Sequence, residues 1–166
     1  MSYSTTAIFG KRAMSQISAD VYIDWAMEML TQNFDSRHLR ILAGLGRKTT
    51  SASEAEDYFL RCMRELNLSV PNSEKAIMAY ACETAQEIVD GKISGKQGVG
   101  KMFQFCLATD YDQGFAIWLE LDDALDNLLQ GDYPYTYESA TLENFEIIAK
   151  QEAEKFIDLM ASKIAS

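Results

Sequence analysis

Apolar residues recur every three or four positions along almost the whole of this chain, and nowhere do they alternate long enough to make a half-buried strand. A chain patterned this way buries its side chains by packing helix on helix. Only four of its 166 residues are valine, which argues the same way, since β-branched residues favour strands. The expected fold is all-α: a single compact bundle of six or seven helices over residues 16–166, preceded by a flexible Ser- and Thr-rich tail at 1–15.

Start and stop signals place the helices. Ser18 to Asn33 carries Val21, Ile23, Trp25, Ala26, Met29 and Leu30, and a short helix follows from Ser36 to the Gly44–Gly46 region. Ser51 and Glu54 have capping-box spacing at the start of the next, Pro71-Asn72 opens a fourth, and Gly91 stops it. Two further helices are expected from Gln113 to Leu129 and from Thr141 to Ser162.

Between the fourth helix and Gln113 lies "DGKISGKQGVGKM", which almost spells the phosphate-cradling loop G-x-x-x-x-G-K-[ST]. Such a loop needs a buried strand to aim its backbone N–H groups at the phosphates, and a Ser or Thr after the lysine to hold Mg²⁺. Here a helix precedes the glycines, and Met102 follows Lys101. Ser94 and Gln97 instead have capping-box spacing, followed by Val99, Met102, Phe103, Cys106 and Leu107 at helical intervals. The stretch reads as a turn and a helix start.

Charge narrows the function classes. The net charge is −10, and the interval between Lys101 and Lys150 has no Lys, Arg or His against ten acidic residues. A field of one sign over that length repels nucleic acid and anionic membrane and attracts cations or a basic protein. No apolar run reaches the ~20 residues that cross a bilayer, and the first fifteen residues lack the apolar core of a secretory leader, so a cytoplasmic location is expected. Cys62, Cys82 and Cys106 are isolated on helical patterns and read as small buried hydrophobes.

Three constellations could carry chemistry. Asp122-Asp123-x-x-Asp126 resembles the DDxxD motif of the all-helical isoprenoid diphosphate enzymes, whose aspartates bind Mg²⁺. A second aspartate-rich segment and a basic cluster for the diphosphate are both missing. Glu54/Asp57 and Glu87/Asp90 resemble half of the ExxE…ExxD pattern of all-α nucleotide pyrophosphatases, yet both pairs fall on the outer side of their helices. His38, the sole histidine, has no nucleophile motif beside it. No catalytic residue, metal ligand or cofactor is therefore assigned.

The acidic, aromatic segment remains. "DYPYTYE" sets Tyr133, Tyr135 and Tyr137 in a loop between two acidic helices, while Phe115 and Leu119 share a helix flank with Asp122 and Asp126, and Glu120 and Asp123 add to the acidic contact set. Apolar and tyrosine anchors ringed by carboxylates suit recognition of a cationic protein. The expected function is a non-enzymatic, partner-binding protein, for example an immunity or inhibitor protein of the bacterial kind that neutralises a cationic toxin. Two alternatives stand beside it. One is a metal-dependent hydrolase or transferase acting on a phosphorylated small molecule through the carboxylate sets; the other is a self-associating subunit using Trp25, Met27 and Met29.

Overall fold

The computed structural model describes residues 3–165, with side chains from 3 to 162. Eight α-helices and one 3-10 turn make up the regular structure of the described residues, and no strand occurs among them. In order they are α1 (Thr5–Ala13), α2 (Ala19–Thr31), α3 (Arg37–Ala43), α4 (Ala52–Glu65), α5 (Ser73–Val89), α6 (Gly95–Ala108), the 3-10 turn Gln113–Phe115, α7 (Ala116–Gln130) and α8 (Phe145–Ala165). The all-α expectation holds, with one helix more than expected. Contacts cluster into two compact units, Met1–Tyr80 and Ala81–Ser166, where a single bundle was expected.

The additional helix is α1, which lies where a flexible tail was expected. Its start is fixed by Ser4, whose hydroxyl accepts from the Ala7 N–H. Its packing explains why the sequence hides it. Ile8 is fully buried, Trp25 donates its indole N–H to the Thr5 hydroxyl at 3.0 Å, and Gly10 lies so close to Tyr80 that a Cβ there would meet the ring at 2.4 Å. A short, Gly-containing helix with two threonines is weak in isolation, and here tertiary contact selects it.

In the N-terminal unit Phe59 of α4 is the focus of the core. The rings of Trp25, Tyr22 and Phe9 lie 4.9, 5.2 and 5.8 Å from it. Trp25 and Met29 are buried in this core, so of the three residues that suggested self-association only Met27 is exposed. Helices α3 and α4 are pinned at their ends by Glu65, which accepts the His38 backbone N–H at 3.0 Å and lies 2.5 Å from His38 Nδ1. Hydrogen bonds from the Ser36 hydroxyl and from His38 hold the Glu65 carboxyl down at about 2. The histidine is thus a clamp between two helices.

In the C-terminal unit α6, α7 and α8 pack around Phe105, Phe115, Trp118 and Phe156. The stretch resembling a phosphate loop becomes the start of α6, and the capping box between Ser94 and Gln97 forms. Two of its glycines are there for packing. A Cβ on Gly95 would come within 2.7 Å of Ala149 Cβ on α8, and one on Gly98 within 2.3 Å of Ile88 Cγ1 on α5. The seat for an anion at this helix start is already taken, because the Glu146 carboxylate accepts the N–H groups of Gly95 and Lys96.

Candidate functional site

The C-terminal unit holds the charge of the whole molecule. Residues 1–80 carry nine Lys or Arg against nine Asp or Glu; residues 81–166 carry six against sixteen, so the net charge of −10 lies entirely in the second unit. Its densest face is on α7. Leu119, Asp122, Asp126 and Leu129 follow one another at intervals of three and four residues, which brings them onto one side of the helix. Leu119 is 39% and Leu129 62% exposed, Asp126 and Asp123 are exposed, and Asp122 is half-buried where this face meets the core. Burial, and after it the charges of Asp126 and Asp123, pushes the Asp122 carboxyl above the usual aspartate range.

α7 ends at Gly131, whose φ of 81° supplies the left-handed turn that a side chain would resist. The chain then returns across the unit as a series of tight turns. Tyr135, Tyr137 and Ala140 donate their N–H groups to the carbonyls of Tyr133, Pro134 and Tyr137. Two side chains tie this loop down. Thr136 donates its hydroxyl to the Glu120 carbonyl of α7 at 2.8 Å, and Tyr137 donates to Glu152 Oε1 of α8 at 3.1 Å. Glu152 is buried and also accepts from Lys155 Nζ at 2.7 Å, so its charge is paired. Burial, with the carboxylate beside it, raises the Tyr137 hydroxyl above its ordinary range.

With the loop fixed at Thr136 and Tyr137, the two preceding tyrosines are held outward. Tyr133 and Tyr135 are 50% and 75% exposed, and their rings meet edge to face at 4.9 Å. The structure thus presents an exposed aromatic pair on a loop tied to the acidic helix at the Glu120 carbonyl, and the Glu120 side chain is itself exposed.

Of the sequence-assigned contact residues, Leu119, Glu120, Asp123, Asp126, Tyr133 and Tyr135 are exposed, and Asp122 and Tyr137 are partly covered. Phe115 is a correction. It is fully buried, its ring 5.3 Å from Phe156 and 6.3 Å from Phe105. The helical wheel that placed it beside Leu119 fails because residue 115 closes the 3-10 turn before α7, where 100° per residue does not hold. Leu129 was missed, although the three- and four-residue spacing from Leu119 leads to it. Thr136 and Glu152, which set the pose of the loop, leave no signal in the sequence.

Glu54 and Asp57 are exposed on α4; Glu87 lies 3.4 Å from Lys101, and Asp90 is held by Gln86 and Lys92 at 2.8 and 3.0 Å. Among the described residues no three His, Cys, Asp or Glu side chains gather as a metal ion would require, and no helix is long and apolar enough to cross a membrane. No protein-family model, curated protein or solved structure matches the chain.

Proposed function

We propose that this chain is a non-enzymatic interaction protein whose acidic C-terminal unit docks a basic protein, as an immunity or inhibitor protein docks a cationic target. The observation that carries this reading is the coincidence of charge and anchors. The entire net charge lies in one unit, and there Leu119, Leu129 and the Tyr133–Tyr135 pair stand exposed with Asp123 and Asp126. Carboxylates of one sign accelerate encounter with a cationic surface, and rigid tyrosines contribute contact area at small entropic cost. The cost borne by Asp122 fits the same reading, since a partner's Lys or Arg would bring its carboxyl back toward the ordinary range.

The test is photo-crosslinking in the source cell from a probe at Tyr135. Capture of one basic protein is expected. The complex should dissociate in high salt and be lost in the triple variant Asp122→Lys, Asp123→Lys, Asp126→Lys, while Glu54→Lys with Asp57→Lys on the neutral unit leaves it intact. A complex indifferent both to salt and to the triple variant would overturn the proposal.

A further inference from the structure

The row Leu119, Asp122, Asp126 and Leu129 on α7 steps by three, four and three residues, the spacing of successive a and d positions in two heptads. Such a row is a seam along which one helix receives another, each incoming side chain entering a hole between four of the receiving ones. It covers about 15 Å of helix axis, close to three turns. Both leucines are exposed, as is Asp126, and Asp122 is half-buried at the inner edge. No other helix of the described residues offers a comparable row. On α8 the exposed Ile147 and Leu159 lie about 120° apart around the axis, and the exposed Met27 of α2 is met by Arg47 at 3.8 Å.

The two inner positions decide what the seam accepts. None of the four acids of α7 has an ion pair among the described residues, whereas Asp20 and Asp24 of α2 are answered by Arg47. The row also reads the same in both directions, Leu-x-x-Asp-x-x-x-Asp-x-x-Leu. A second copy laid antiparallel would set leucine against leucine but also aspartate against aspartate, and that repulsion disfavours pairing of this face with itself. A wholly apolar helix fits no better, because it would strip water from two carboxylates and return no hydrogen bond. A helix with Lys or Arg at the inner positions pairs both carboxylates and keeps its outer apolar residues for Leu119 and Leu129. Charge also fixes the register, since a slip of one turn sets an apolar residue against an aspartate.

The geometry points to a helix as the element through which the basic protein binds: an amphipathic segment of pattern apolar-x-x-basic-x-x-x-basic-x-x-apolar, lying along α7. This inference rests on the reading of the acidic face as a docking surface, and it adds the conformation and sequence pattern of what docks there.

Two synthetic peptides of identical composition, each about three heptads long, are the probes. One carries the pattern in a helix-favouring background of Ala and Gln; in the other the same residues are permuted so that no such row falls on one face. Titrated into the ¹⁵N-labelled full chain at low salt, the patterned peptide should bind at least tenfold more tightly than the permuted one. It should gain helix by circular dichroism and shift the amides of Leu119, Asp126 and Leu129. Leu129→Ser, at an exposed position, and the double variant Asp122→Lys, Asp126→Lys should each weaken it about tenfold. Leu159→Ser on α8 should leave it unchanged, and a peptide with Glu at its inner positions should recover binding to the double variant. Equal affinity for the two peptides, binding without gain of helix, or no binding of either overturns helical docking. Affinity indifferent to Leu129→Ser overturns the seam on α7. Photo-crosslinking from Tyr135 tests the wider reading separately, because it requires no helix in the captured protein.

Discussion

Glycine at position 98 shows how one absent methyl group positions a helix. Ile88 occupies the space a Cβ would need, with Cγ1 2.3 Å from the ideal position, so Gly98→Ala forces apart α5 and α6. Overpacking of this kind costs about 1–3 kcal/mol, which chemical denaturation would register as a lower midpoint with little change in slope. Asp122 illustrates the opposite case, a side chain kept despite its cost. Because burial and its neighbours raise its native pKa, folding favours its protonated form. The stability it contributes is full below the ordinary value of 3.8 and is lost as pH rises through the raised native value. Asp122→Asn should therefore be more stable than the parent at neutral pH, and the difference should vanish in acid; urea titrations at the two pH values check the sign.

At the scale of elements, caps explain much of what the sequence disclosed. Ser36, Ser51 and Ser94 each sit before an apolar period and each accepts the expected N–H group, so α3, α4 and α6 could be placed from local chemistry alone. α1 could not, because Tyr80, seventy residues away, determines that it packs. The start of α8 was placed four residues early at Thr141, where Thr141 and Asn144 close a reciprocal turn that mimics a cap. The candidate face was legible in composition and spacing along α7; the pose of its tyrosines depends on Thr136 and Glu152, which no pattern marks. The N-terminus of α6 carries a second cap supplied from α8. Glu146→Ala should cost roughly 1 kcal/mol, as loss of an N-cap does, and hydrogen exchange should speed up first at Gly95 and Lys96.

For the molecule as a whole, the partition into two units was hidden because the boundary falls within α5, with no Pro- or Gly-rich linker to announce it. Charge follows that boundary closely, and it separates the responses of the two units to salt. Like charges in residues 81–166 repel one another, and added salt screens them. Raising sodium chloride from low to physiological strength should increase hydrogen-exchange protection in the C-terminal unit and leave the balanced N-terminal unit nearly unchanged. Equal gains in both would refute the role of the charge. The grip of Glu146 on α6 also bears on the order of synthesis. Fifty-one residues separate Gly95 from the carboxylate that completes its helix start, so on the ribosome α6 stays unfinished until the first turn of α8 has emerged. A truncation ahead of residue 146 would then remove more than α8, since it would release the front of α6 as well.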